Sequence, residues 1–237
     1  AFGESSEWWW WEIVGIHVGT FGPTAAATHA IGYTLVPLLI MIPNSIGICI
    51  CNAVGRQLGA GDVKAAKKTA AVFVACGLAL AIFYSGLVFW QGKAIGLLFT
   101  DDAGVLALRH KIWLWVSIFL VFDALFGMLA GLNRALGIQG WSARCVFICL
   151  WLLGTPFIFT LATTLERTWI IVPIIYAFFA AALGGCSACA NWNALALGVV
   201  NQPSSSSSLN SKTAKLLPKG GADLEEYLIM LGEQPKV

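Results

Sequence analysis

Between Glu12 and Arg56 the chain carries no Asp, Glu, Lys or Arg. A stretch that long cannot supply the charged face that a surface helix turns to water, and it exceeds what one bilayer crossing needs, about 20 apolar residues. The rest of the chain agrees: 58% of its 237 residues are hydrophobic and 11% are charged, too few polar side chains to coat a soluble globule. We therefore expect an all-α integral membrane protein, a polytopic helical bundle whose partner is the lipid bilayer. The net charge is +2 and the basic residues are scattered between apolar blocks, which gives a nucleic-acid partner no support.

Uncharged runs separated by turn residues divide the chain into six expected spans, at residues 8–22, 26–54, 69–90, 112–133, 145–165 and 168–190. Gly22-Pro23 ends the first, because proline cannot extend the preceding helix. Pro37 and Pro43 lie inside the second and predict a kink. Asp62 reads as a helix N-cap after the glycine-rich turn 55–61, and Asp101-Asp102 reads as another helix start. Residues 91–111 read as the most polar connection, and Gly154-Thr155-Pro156 falls inside the fifth span.

From Gln202 onward the composition turns to serine, lysine and acids. The expected division is a six-helix lobe over residues 1–199 and a Ser-rich, disordered cytoplasmic tail over 200–237. Residue 1 is Ala and no leader pattern precedes the first span, so the chain reads as a fragment or a processed product. Arg56, Lys64, Lys67, Lys68, Arg134 and Arg144 fall in turns on one side of the membrane, with the tail lysines; Lys93, Arg109, Lys111 and Arg167 fall on the other. That bias places the first side in the cytoplasm.

Chemistry-bearing residues inside the spans are few. Glu7 and Glu12 flank four tryptophans, Trp8 to Trp11, at the edge of the uncharged run. An acid at the centre of a membrane helix costs roughly 2.5–3.5 kcal/mol and usually faces a polar interior or a transport path. At about 100° per residue Glu12 shares a stripe with Gly15 and Gly19, so it is expected to point inward; Glu7, about 140° away, cannot face the same direction and reads equally as an acid at the water interface or as a functional group. The tryptophans read first as an interfacial belt. Asp123 interrupts the fourth span, its face continued by Gly127, Ala130 and Gly131. His17 and His29 flank the Gly22-Pro23 turn and read as solvated or capped. The seven cysteines, including Cys186-x-x-Cys189, read as packing residues rather than a metal site. No protease, hydrolase or phosphate-loop signature is present, so an enzyme is not expected.

Five runs in register carry a resemblance: Glu7-Trp8-Trp9-x-x-Glu12, Met41-x-Pro43, Val54-Gly55-Arg56-Gln57-Leu58-Gly59-Ala60-Gly61-Asp62, Phe99-Thr100-Asp101-Asp102, and Gly131-Leu132-Asn133-Arg134-x-x-Gly137-x-Gln139. Over about residues 7–190 the chain resembles the second half of a multidrug and toxin extrusion (MATE) transporter. The resemblance implies one lobe of a two-lobed transporter around a central cavity, an N-terminal lobe outside this sequence, and efflux of small organic, cationic substrates. It also implies coupling to H⁺ or Na⁺ with no other cofactor and no bound metal. Glu7, Glu12 and Asp123 match the family's cavity acids, and Trp8 and Trp11 are the expected aromatic lining. The sequence departs from the family at Thr34, at Arg134-Ala135, and at Val146, Leu150 and Trp151. A lipid-linked oligosaccharide flippase of related architecture would be expected to carry basic residues in its spans, which these lack. A non-transporting membrane scaffold is the remaining alternative.

Overall fold

The computed structural model describes residues 2–200, helices joined by short connections, with no strand among the described residues. The Ser-rich tail, from residue 201 onward, lies outside them. The helices up to Ala196 form one compact unit.

α1 is Phe2–Gly19. Gly22, at φ 106°, turns the chain through a conformation that other residues rarely adopt, and Pro23 opens α2, Pro23–Leu39, at a position where its missing N–H is no loss. α3, Met41–Gly59, follows after the single residue Ile40. Pro37 and Pro43 lie on either side of this joint, so the expected kink takes the form of two consecutive helices. Gly61, at φ 77°, and Asp62 then start α4, Val63–Trp90; the Asp62 carboxylate accepts from the Ala65 N–H at 2.9 Å.

The expected polar connection 91–111 is largely helical. It holds α5, Gly92–Phe99, and the first turns of α6, Ala103–Ala135, which Asp102 caps by accepting from Val105 N–H at 3.0 Å. The reason is packing: Gly92 and Gly96 present a bare face to α6, where a Cβ on Gly96 would lie 2.8 Å from Arg109 Cδ. Arg109 is buried there with its guanidinium 5.2 Å from the Trp113 ring.

The fifth span is built from α7, Gln139–Val146, a π-helical stretch Phe147–Gly154, and α8, Thr155–Leu161. Pro156 has no N–H to continue an α-helical ladder. The preceding turns widen instead, with Thr155 N–H and its hydroxyl both directed at the Leu150 carbonyl, the hydroxyl at 3.2 Å. α9 is Leu165–Cys189 and α10 is Trp192–Val200.

Five segments are long and apolar enough to cross a bilayer: Pro23–Gly59, Val63–Trp90, Ala103–Ala135, Gln139–Leu161 and Leu165–Cys189. α1 does not qualify by composition, because Glu4, Glu7 and Glu12 fall within its 18 residues. It nonetheless packs as the sixth element, through Trp10 against Gly154 and Trp151 Nε1 donating to Ser6 Oγ at 2.8 Å.

Helix ends segregate onto two sides. Phe21, Ala25, Lys111, Thr163 and Glu166 border one shared recess. At the opposite ends, Lys67 near the start of α4 lies 5.7 Å from the Trp192 ring beyond α9. Cysteines placed at Lys64 and at Lys93 are therefore expected to label from opposite sides of a sealed membrane, Lys93 from outside. The seven native cysteines set the background, read from the unsubstituted chain. Equal labelling of both positions from outside would overturn this topology.

Candidate functional site

α6 is the pillar of the lobe, and its close approach to α3 sets the geometry around the acids. A Cβ on Gly47 would lie 2.6 Å from the Gly127 carbonyl oxygen, and one on Gly127 would lie 2.7 Å from Asn44 Oδ1. Only glycine lets the two backbones come this near, a common device where lipid supplies no hydrophobic driving force between helices. Beside this crossing lies a cavity of about 400 Å³. α1 contributes Glu7, Trp8 and Trp11; the α2–α3 joint contributes Ile40, Met41 and Asn44; α6 contributes Asp123, Phe126, Ala130 and Arg134.

Glu7 and Asp123 are thus brought into one space, Asp123 with 2% of its surface exposed. Glu7 is held by a short relay. Tyr176 on α9 donates its hydroxyl to Glu7 Oε1 at 2.7 Å, and Trp11 Nε1 donates to the Tyr176 hydroxyl at 3.0 Å. A phenol to carboxylate bond is charge-assisted, and the two links fix the rotamers of all three side chains. Around them Phe119, Phe126, Trp169 and Phe179 pack edge-on or tilted at centroid spacings of 4.8–6.4 Å from Tyr176 or Trp11. Such pairs contribute about 0.5–1.5 kcal/mol each beyond burial, which makes this wall of the cavity rigid.

The inward position expected of Glu12 belongs to Glu7. Glu12 is exposed and does not line the cavity, whereas Glu7 points in. The stripe Glu12, Gly15, Gly19 is not the packed face of α1; that face carries Trp10, Trp11, Val14 and Val18, all buried. Four bulky side chains outweigh two glycines in deciding how the helix rotates. For the same reason the tryptophans do not form a single belt. Trp9 is 63% exposed and Trp8 41%, while Trp10 and Trp11 are core residues, with Trp8 and Trp11 on the cavity. His29 is neither solvated nor capped: it is buried, stacked on Tyr33 at 6.0 Å and 4°, with Nδ1 unpartnered. His17 makes a contact of 3.0 Å from Nε2 to the Ala162 carbonyl.

Tyr176, Asn44 and Arg134 are site residues that sequence reasoning did not select. Tyr176 left a signal, since a phenol in mid-span must find a partner in hydrocarbon. Asn44 and Arg134 left none, because their approach to the cavity depends on how α3 crosses α6.

A bundle of membrane-spanning helices that gathers carboxylates and aromatic rings around one lateral cavity has the architecture of a membrane transporter lobe. The MatE family model matches residues 1–160, and the chain belongs to that family. It is 27% identical over 168 residues to multidrug and toxin extrusion protein 1 of Danio rerio, an alignment covering 69% of this chain and 28% of that protein. It is 32% identical over 144 residues to the multidrug resistance protein NorM of Vibrio cholerae, covering 61% and 32%. The fold matches the crystal structure of the eukaryotic MATE transporter AtDTX14 with a TM-score of 0.75 at 24% identity, over 83% of this chain and 45% of that one. The chain thus spans about a third of the length of these curated relatives and one lobe of the solved transporter. It is a multi-pass integral membrane protein of a transporter family, not an enzyme.

Proposed function

We propose that this chain is the C-terminal lobe of a cation-coupled antiporter that exports small organic cations, drugs or metabolites by alternating access. The observation that carries the reading is the meeting of Glu7 and Asp123, with Trp8 and Trp11, in one cavity. A carboxylate pair can bind a positively charged amine or exchange it for a coupling ion, H⁺ or Na⁺. Aromatic faces beside it add cation–π attraction, about 2 kcal/mol or more where water is excluded. Competition between ion and substrate for the same carboxylates is enough to link their movements in opposite directions. The second lobe would form the opposite wall of the cavity.

Two outcomes test this. In proteoliposomes holding the transporter with both lobes, a fluorescent organic cation is expected to move against an imposed H⁺ or Na⁺ gradient; if neither gradient drives movement, the reading fails. The present chain alone is expected to give no flux, because one lobe offers one wall, and robust flux would mean that two copies assemble a cavity.

The acids are also expected to separate by position. Glu7→Gln keeps an oxygen that can accept from Tyr176 and removes only the charge, so it is expected to cost most of the transport rate. Glu12→Gln, on an exposed carboxylate, is expected to cost less. Equal loss in both would show that Glu12 acts from the far side of the cavity, against the other lobe.

A further inference from the structure

The face of the lobe turned away from the cavity carries two apolar grooves that share a ridge. On α9, Tyr176 reaches Glu7 on the cavity side, and Ile174 and Phe178, two residues before and after it, lie about 160° around the helix on the opposite side. Ile174 and Phe178 form the ridge. One groove, of about 450 Å³ and without polar lining, runs between them and Leu153 and Phe157. The other, of about 430 Å³, runs between them and Trp115 and Phe122 of α6.

Both groove walls end on a cation at the same side of the membrane. Arg167, Ile171, Ile174 and Phe178 follow the spacing i, i+4, i+7, i+11, so the ridge carries Arg167 at its head. Lys111, Trp115, Ile118 and Phe122 repeat that spacing on α6, so Lys111 lies one turn beyond the second groove, on the recess it shares with Thr163 and Glu166. Both are exposed, and Arg167 Nη1 donates to Thr163 Oγ1 at 3.1 Å. From Arg167 to Phe178 is about 16 Å at 1.5 Å per residue, close to the roughly 15 Å of one bilayer leaflet.

We propose that this face is a binding site for one diacyl phospholipid, an acyl chain in each groove astride Ile174 and Phe178, with an anionic headgroup held by Arg167 and Lys111. Two parallel apolar channels of similar volume, one leaflet long and headed by basic side chains, match the two chains and phosphate of such a lipid. A partner helix would fill one channel and leave the other empty.

The test uses the full chain in nanodiscs of phosphatidylcholine and phosphatidylglycerol at about three to one, extracted into mild detergent and weighed by native mass spectrometry. One retained phospholipid per chain is expected, with phosphatidylglycerol enriched about five-fold or more, the order of one surface cation's attraction for anionic lipid. Arg167→Gln with Lys111→Gln is expected to erase the enrichment while retaining a lipid. Phe178→Ala, at a side chain 71% exposed and outside the core, is expected to lower retention of both lipids about three-fold or more. No retained lipid, retention unchanged by Phe178→Ala, or the mass of a second copy in place of lipid would each overturn the proposal. An independent reading on the unaltered chain is quenching of tryptophan fluorescence by brominated phosphatidylglycerol, expected to fall in Trp115→Phe; quenching unaltered by that change would count against the site.

Discussion

Asp123→Asn is expected to reduce gradient-driven efflux by the transporter carrying this chain to background, with expression equal to or above that of the native protein. The side chain is 2% exposed, in the interior of the 33-residue α6, and lines the same cavity as Glu7. An ionised acid at such depth carries a cost of roughly 2.5–3.5 kcal/mol that an amide of the same shape avoids. The substitution therefore removes titration and charge without opening a void, and any stability change is expected to be a gain. A transporter that folds at least as well and no longer moves substrate is the signature of an acid retained for function. Efflux that persists with unchanged pH dependence would show that Asp123 is structural and that the coupling ion is carried elsewhere.

Glu7 depends on its neighbours in a way Asp123 does not. Removing the Tyr176 hydroxyl would take from the buried Trp11 Nε1 the acceptor it reaches at 3.0 Å, and from Glu7 Oε1 one of its donors. An unmatched buried polar group costs about 1–3 kcal/mol, so the relay has a stabilising role apart from any transport role. The relay also ties α9, which contributes no side chain to the cavity lining, to the charge at its edge.

The order of the helices, the kink at the two prolines and the caps at Asp62 and Asp102 were legible in the sequence because each rests on local chemistry: a missing N–H, a short acceptor side chain, a run too apolar for water. The length of α6 and the existence of α5 were less so, since Arg109 and Lys111 read as loop until Gly92 and Gly96 are seen to accommodate Arg109 and Trp113. At the site, the depth of Asp123 could be read from its position in mid-span, but the rotation of α1, which sends Trp10 and Trp11 into the core, could not. A periodicity argument weighs a glycine stripe against a tryptophan stripe only once the neighbouring surface is known. Here Gly154 and the aromatic wall of α6 and α9 receive Trp10 and Trp11 and leave Glu12 outside.

Gly131→Ala is expected to be the most damaging small substitution in the lobe. A Cβ at Gly131 would collide with the backbone of Gly47, and a backbone cannot swing aside as a flexible side chain can. The added methyl must push α3 and α6 apart along their whole crossing, where Gly127 already touches Asn44. Overpacking of this kind costs about 1–3 kcal/mol, more than the roughly 1 kcal/mol that alanine gains over glycine in a helix. The matched comparison is Gly55→Ala on α3, where nothing lies within 4 Å of the new methyl, so only the helix gain remains. The two substitutions are therefore expected to shift the midpoint of thermal unfolding in opposite directions, Gly131→Ala down and Gly55→Ala unchanged or up. Because Asn44 and Ile48 of α3 line the same cavity as Asp123, the Gly131 variant is also expected to lose substrate affinity in whatever fraction still folds. Shifts of the same sign in both variants would mean that α3 and α6 do not meet backbone to backbone, and the cavity beside that crossing would then need another architecture.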